Sequence, residues 1–531
     1  MMAGNDPTAG NAGEDRREFA SRTPVNENPD QIRYRRGFVT RHQVSGWRFM
    51  MRRIASGVAL HDTRMLVDPL RSQSRAVLVG ALVLVTGLAG CFVFSLIRPA
   101  GDAGTATILA DRDTSALYVR IGDVVHPALN LTSARLIAGR PDNPTLVKSS
   151  EIDRFARGNL IGIPGAPERM VQNTSRSADW TVCDVTTSSA GAPAGVTVLA
   201  GTPDQSGERA AALPSDRVVL VQNVGGVHAG TWLLWNGKRS PLDLGNRAIT
   251  DALGLGTDMP APRVIAPGLF NAIPESAPLV APALPGAGAP PRFALPVPVP
   301  VGAVVAAYEA DNSIRYYAVL AEGVQQISPV LAAVMRNTDS YGLQQPPRLG
   351  ADDVARLPVA SGIDTAAYPS EKVTAVDAAA DPVTCAYWSK PAGATESSLT
   401  LLSGAALPLP DGLRTVDLVG AGSGGTADRV ALPPGRGYFV QSVGAEAGAP
   451  QAGSAFWVSD TGVRYGIDTV GDTKAVEALG LTPPPVPIPW SVLTQFAAGP
   501  TLSRTDALVA HDALPADPKP GVVNTAREGE N

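Results

Sequence analysis

Residues 76–97, AVLVGALVLVTGLAGCFVFSLI, run for 22 positions without a charge between Arg75 and Arg98. At about 1.5 Å rise per residue, such a run reaches about 33 Å as a helix, enough to cross a hydrocarbon layer of about 30 Å. A run of 22 apolar or small residues with Arg at both ends does not suit a buried core helix, and a cleaved leader is not preceded by some 75 residues. The run reads as a single transmembrane helix. Leu88-Ala89-Gly90-Cys91 imitates a lipoprotein cleavage box, but the apolar run continues for six residues past Cys91, so acylation is not expected.

Charge orients the helix. Residues 31–75 carry ten Arg against Asp62 and Asp68, whereas Arg98, Arg112 and Arg120 are balanced by Asp102, Asp111 and Asp113. The positive-inside bias places the N-terminus in the cytoplasm and residues 98–531 outside. Of three cysteines, Cys91 lies in the span, which leaves Cys183 and Cys385 in a compartment where disulfides persist. With 54 Gly and 47 Pro in 531 residues and 18% charged residues, the bulk suits a β- and loop-rich fold.

That bulk is written twice. ALPSDRVVLVQNVG at 212–225 returns as ALPPGRGYFVQSVG at 431–444. Four further segments share one plan: 116–139, 231–255, 316–337 and 456–481 each hold an aromatic-rich run, a glycine, a second run and a helix-like tail. The glycines Gly122, Gly237, Gly323 and Gly462 sit where a hairpin turn needs positive φ, with Asn236-Gly237 the strongest turn signal. Gly122 to Gly323 is 201 positions, Cys183 to Cys385 is 202, and Gly237 to Gly462 is 225, so the offset is steady. A tandem duplication is expected, with a linker at 257–300 whose twelve prolines exclude a sheet or helix interior. The two cysteines occupy equivalent places in WTVCD and DPVTC. They are either a disulfide near a pseudo-two-fold axis, which is the expectation, or two separate buried thiols.

Catalytic motifs fail on context. GAGSGG at 420–425 follows a strand-like run but precedes two prolines where a phosphate-facing helix should start, so it reads as a hairpin loop. Gly237-Lys238 lacks the P-loop pattern, because Trp232 stands at the first glycine position and Arg239 at the Ser/Thr position. His126, His228 and His511 have no His or Cys at metal-ligand spacing. No catalytic, cofactor-binding or metal-ligating residue is nominated, and no cofactor is expected.

The cytoplasmic segment carries more signal. Thr40 and Gln43 fit a capping box, and Val44, Trp47, Met51, Ile54 and Val58 then recur at three and four, with Arg41, Arg48 and Arg52 elsewhere around the helix. Three readings stay open: a small packing face, an interfacial helix on anionic lipid, and a docking helix for another subunit. Val44, Trp47, Arg48, Met51, Arg52 and Ile54 are the candidate docking residues. Nucleic acid is not an expected partner, because no binding module accompanies the charge.

Taken in order, RRGFVTRHQVSGWRFMMRRIASGVALHDTRMLVDPLRSQSRA, DRDTSALYVRIGDVVHPALNLTSARLIAG, GNLIGIPGAPERM, WTVCD, VTCAYW and PPPVPIPW resemble EccB, the single-pass membrane component of the mycobacterial type VII (ESX) secretion system. The stretch ASRTPVNENPDQIRYRRGF is most similar to the paralogue of the third ESX system. The resemblance implies a structural core subunit that clusters with other copies of itself and assembles with an EccC-type ATPase, EccD and EccE in the inner membrane. It further implies cell-wall-binding-like repeats and a link to iron and siderophore-dependent metal acquisition. The family is also described as an ATPase, for which this chain lacks the P-loop.

The expected architecture is α+β and β-rich. A short cytoplasmic helical segment and one transmembrane helix precede an elongated pseudo-two-fold periplasmic domain, a tandem duplication with four hairpin–helix (ββα) modules around a central β region. Its parts are a disordered N-terminus (1–37), a basic amphipathic helix (38–75), the span (76–97), a first half (98–256), the linker (257–300), a second half (301–482), a Pro-rich wrap (483–515) and a disordered tail (516–531). The expected function is a non-enzymatic scaffold of a type VII secretion complex. The alternatives are an extracytoplasmic ATPase and a stand-alone peptidoglycan-binding membrane protein.

Overall fold

The computed structural model describes residues 40–61, 69–97, 101–186, 193–309, 313–422, 425–469, 474–514, 516 and 520–521. The segment 1–37 and nearly all of 516–531 lie outside these residues. Two compact units divide the chain, Met1–Arg98 and Pro99–Asn531.

Among the described residues the first unit holds two helices, α1 (Arg41–Leu60) and α2 (Pro69–Ile97). The α1 start is fixed by a reciprocal cap: Thr40 N donates to Gln43 Oε1 at 2.9 Å, and Gln43 N donates to Thr40 Oγ1 at 3.4 Å. The helix stops at His61, whose φ of 47° is left-handed. Within α2, Gln73–Phe94 is the one helical stretch among the described residues long and apolar enough to cross a membrane, and all of it is exposed.

In the second unit the chain four times lays down three antiparallel strands, a helix, and a fourth strand that returns parallel to the first. The first meander is Ile108–Asp111, Leu117–Ile121 and Val124–Pro127, then helix α3 (Leu131–Ala138) and strand Thr145–Val147. The second is Arg217–Asn223, Gly230–Trp235, Lys238–Pro241, helix Arg247–Leu253 and strand Arg263–Val264. The third runs from Val304–Tyr308 through helix Pro329–Thr338 to Arg348–Leu349, and the fourth from Tyr438–Val443 through helix Ala475–Ala478 to Val486–Pro489. The repeated fourteen-mer thus supplies the opening strands of the second and fourth meanders. Each meander adds an opening and a closing strand to the hairpin–helix expected from sequence, and the closing strands, two to four residues long, carry no readable periodicity.

Alternation along these strands feeds two cores at once. In RVVLVQN, Val219 and Val221 face the largest core while Val218 and Leu220 face another; Trp232 and Leu234 against Leu233 and Trp235 repeat the division on the next strand. Helices Arg247–Leu253 and Pro329–Thr338 pack together through Ile249, Leu253, Val330 and Val334, so the second and third meanders share a core. The first and fourth share another through Leu136, Ile137, Trp457 and Leu479.

Between them lies a seven-stranded sheet, in the order Val416–Asp417, Arg429–Ala431, Pro193–Ala200, Ala178–Thr186, Val383–Lys390, Ser398–Gly404 and Ala211–Ala212. Its centre is two hairpins, one from each side of the Pro-rich segment, joined antiparallel through Ala178–Thr186 and Val383–Lys390. The GAGSGG stretch falls in the connection between the first two strands of this order, with residues 423–424 outside the described ones.

One expectation is corrected here. Residues 257–300 are not free of regular structure: they contain strand Arg263–Val264 and helix Pro267–Ala272, and Leu269, Phe270 and Ile273 are buried in the largest core. Pro267 opens the helix at its first turn, where the missing N–H costs nothing. The segment 483–514 also enters the core through Ile488, Leu493 and Phe496, and its Ala510–His511 pairs with Leu160–Ile161.

Candidate functional site: docking helix and disulfide-linked sheet

No residue of α1 is buried. Trp47 is 65% exposed, Ile54 56%, and Val44 and Met51 are exposed beside them, so the apolar stripe is unpartnered among the described residues of its own unit. Arg48 and Arg52 lie one residue beyond Trp47 and Met51, about 100° further around the helix. Gly46 and Gly57 have open space where a Cβ would stand, so nothing among the described residues requires glycine there. A helix with a bare apolar stripe flanked by guanidinium groups can bind an apolar groove with an acidic rim or an anionic bilayer surface.

The central sheet is built from the opposite kind of residue. Cys183 and Cys385 sit directly opposite in the register of the two central strands, 4.0 Å apart at Cα, and form a disulfide. Both are fully buried, enclosed by Leu199, Ala210, Val383, Leu402 and Ala431. On the other face of the same strands, Trp180 stands opposite Trp388, and Trp180 Nε1 donates to Pro487 O at 2.9 Å. The bond closes a loop of about 200 residues, for which chain entropy gives roughly 5 kcal/mol.

One residue along, Asp184 forms an ion pair with Arg263 at 3.1 Å, with side chains 0% and 2% exposed. Arg263 Nη1 also donates to Thr384 Oγ1 at 2.8 Å and to Pro382 O at 3.1 Å, while Asp184 Oδ2 accepts from Ala266 N at 2.8 Å. Burial pushes the Asp184 carboxyl above its ordinary range, and the Arg263 guanidinium pulls it back. Three segments far apart in sequence are thereby tied at one point. The sequence motif WTVCD does not single out Asp184; the available signal is a carboxylate that falls on a buried position of an apolar strand.

Tyr387, on the second cysteine's strand, donates to Asp179 Oδ1 at 2.6 Å across the sheet. Burial first, and that carboxylate second, push its hydroxyl up to about 12. Elsewhere Arg239 lies over the Phe270 ring at 3.8 Å and reaches Glu275 at 3.4 Å, with His228 3.5 Å from the same carboxylate. These groups hold the Pro-rich segment against the second meander.

The turn glycines divide. Gly122, Gly237 and Gly462 have φ of 62°, 72° and 81° at the second turn of their meanders. Asn236 joins Gly237 at φ 42°, two successive left-handed residues as a type I′ turn requires. Gly323 does not adopt left-handed φ, which corrects that expectation. Its constraint is close approach, because an added Cβ would lie 2.3 Å from Pro358 O.

Among the described residues, one apolar helix of spanning length and a β-rich body closed by a buried disulfide define the class: a chain with one candidate membrane span and a β-rich body. The family model described as Type VII secretion system ESX-1, transport TM domain B, matches residues 36–516, and the chain belongs to this EccB family. It is 68% identical over 514 residues to the ESX-3 secretion system ATPase EccB3 of Mycolicibacterium smegmatis (strain ATCC 700084 / mc(2)155), covering 97% of this chain and 99% of that protein. A solved structure of the EccB3 dimer from the ESX-3 core complex is 65% identical, with a TM-score of 0.70 over 76% of this chain and 100% of that one. The periplasmic assembly from the ESX-5 inner membrane complex contains a chain 37% identical, with a TM-score of 0.69 over 81% of this chain and 100% of that one.

Proposed function

We propose that this chain is a structural core subunit of an inner-membrane ESX secretion complex. The span around 73–94 fixes it in the membrane with its N-terminus cytoplasmic, and its body scaffolds the periplasmic side. α1 docks partner subunits of the EccC, EccD and EccE types through Val44, Trp47, Met51 and Ile54, with Arg48 and Arg52 at the rim.

The observation that carries this reading is the central sheet. Equivalent strands from two similar halves pair with equivalent cysteines opposed, as a local two-fold axis through that pair requires. The first and fourth meanders share one core and the second and third share another, the exchange such an axis would make. A tandem duplication folded about such an axis gives a stiff body with repeated outer surfaces, suited to contacts with further copies. Similarity to relatives of the third ESX system supports a role in iron and siderophore-dependent metal acquisition. Peptidoglycan is a further candidate contact for the body.

An ATPase reading rests on the name carried by the ESX-3 relative. It would need a phosphate cradle, and the segment nearest to one, around Gly237-Lys238, is a hairpin turn whose Lys238 lies over Trp235 and donates to Ala366 O. Affinity purification from gently solubilised membranes tests the scaffold: co-purification of an FtsK-like ATPase supports it, and isolation of the chain alone, or pelleting with bare cell wall only, counts against it.

A further inference from the structure

The arginines of α1 are not spread evenly around it. With Val44 as zero and about 100° per residue, the stripe of Met51, Trp47 and Ile54 lies at about −20° to −80°. Arg48, Arg52 and Ser56, spaced four apart, follow on one flank at about 40°, 80° and 120°, whereas Arg53 lies on the face opposite Val44. Ser56 is thus the next residue of the arginine row that borders the stripe. Its hydroxyl has no tertiary task among the described residues: Oγ donates to Arg53 O at 3.0 Å, one turn back in the same helix, and that bond is exposed.

Arg52 and Arg53 stand four and three residues before Ser56, in the run Arg52-Arg53-Ile54-Ala55-Ser56. Protein kinases select substrates by the charge pattern around the hydroxyl, and an acidic kinase groove reads upstream arginine. Such a groove takes an extended chain. The end of α1 can supply one: no residue of the helix is buried, Gly57 follows Ser56, and the helix stops at His61, so opening there breaks only local bonds. We propose that Ser56 is a phosphorylation site for a serine/threonine protein kinase of basic specificity, and that the phosphate turns α1 docking off. In the transfer, Ser56 Oγ attacks the γ-phosphorus of ATP. The new O–P bond forms as the bond from that phosphorus to the β–γ bridging oxygen breaks, ADP leaves, and the hydroxyl proton passes to the kinase's carboxylate base. The phosphate brings about −1.5 to −2 charges within reach of Arg52 and Arg53, four and three residues back along the helix. It takes a guanidinium from the rim and repels an acidic partner there. The inference rests on the reading of α1 as a cytoplasmic docking helix.

The test isolates the full chain from its own cells with phosphatase inhibitors and separates copies bound to partner subunits from free ones. Trypsin releases residues 54–64, IASGVALHDTR, and fragment masses assign any phosphate to Ser56 or Thr63. Phosphate on Ser56 is expected, with occupancy about fivefold or more higher in the free copies, the lower end of coupling between two sites. Ser56→Asp should lower partner recovery by about the same factor, and Ser56→Ala should leave it at the parent level. Arg53→Ala, off the docking flank, should lose the phosphate and keep the partners. No phosphate on Ser56 in either fraction, equal occupancy in both, phosphate undiminished in Arg53→Ala, or a Ser56→Asp chain that keeps its partners overturns the inference. Trp47→Glu with Met51→Glu, run alongside, separates the two failures. Partners lost there but kept with Ser56→Asp sink the regulation alone; partners kept in both sink the docking as well.

Discussion

Replacing Arg263 with methionine removes one partner of an ion pair that has almost no contact with water. Asp184 keeps its bond from Ala266 N but loses the guanidinium it is paired with, and its Oδ1 already lacks a partner among the described residues. Breaking a buried pair on one side costs about 3–5 kcal/mol. For a unit of roughly 430 residues, at about 2.1 cal/mol/K per residue, each kcal/mol moves the midpoint by about 1 °C, so a fall of about 3–5 °C is expected near pH 7.5. The pH dependence has a definite sign. Burial already raises the Asp184 carboxyl, and loss of Arg263 raises it further. The folded state then holds a proton that the unfolded state releases near pH 3.9, so stability declines as pH rises from about 4 through the folded value. The deficit of Arg263→Met should shrink on acidification toward pH 4. The double variant Asp184→Asn with Arg263→Met should return to within about 2 kcal/mol of the parent, because replacing both partners leaves no stranded charge. Tryptophan fluorescence during heating of the solubilised chain reads this out, with Trp180 and Trp388 on the same two strands. A deficit below about 1 °C, or one equal at pH 4.5 and pH 7.5, would refute the reasoning.

The Cys183–Cys385 bond, fully buried, should resist dithiothreitol in native protein and become reducible only with denaturant, as a maleimide gel shift will show. Cys183→Ala with Cys385→Ala should cost up to about 5 kcal/mol, measured as a lower unfolding midpoint. Gly237→Ala combines left-handed φ with a Cβ 2.3 Å from Leu399 O, whereas Gly122→Ala meets open space and strains only the backbone. Thermal unfolding should therefore rank Gly237→Ala as more damaging, with Gly122→Ala near the 1–2 kcal/mol expected of φ alone (a rough figure). Trp47→Glu with Met51→Glu should leave the midpoint of the body within about 1 °C of the parent, since no α1 residue is buried.

Local features were legible where local chemistry decides them. The uncharged 76–97 run marks a helix of spanning length, and Pro69–Ile97 is that helix; Thr40 with Gln43 marks a helix start by side chains three residues apart. The cysteines were readable as a pair because few alternatives existed for two thiols at equivalent places. Long-range geometry was not legible. Arg263 lies 79 positions from Asp184, and nothing nearby in sequence announces the pairing. Strands Arg263–Val264 and Arg348–Leu349 are too short for an alternation to register. Twelve prolines made 257–300 look like a spacer, although Leu269 and Phe270 were apolar enough to claim a place in the core. Gly323 looked like its three counterparts, but its constraint comes from Pro358, which only the tertiary fold brings near.

The scaffold account meets its most direct test in native affinity purification from gently solubilised membranes, with mass spectrometry of what comes down. It compares the parent chain with one carrying Trp47→Glu, Met51→Glu and Ile54→Glu. The account predicts that an FtsK-like EccC ATPase and EccD accompany the parent and are lost with the altered stripe, while the disulfide-closed body stays intact. Recovery of the same partners with the altered stripe would contradict the docking role. Recovery of the parent chain alone, turning over ATP without EccC, would contradict the scaffold itself.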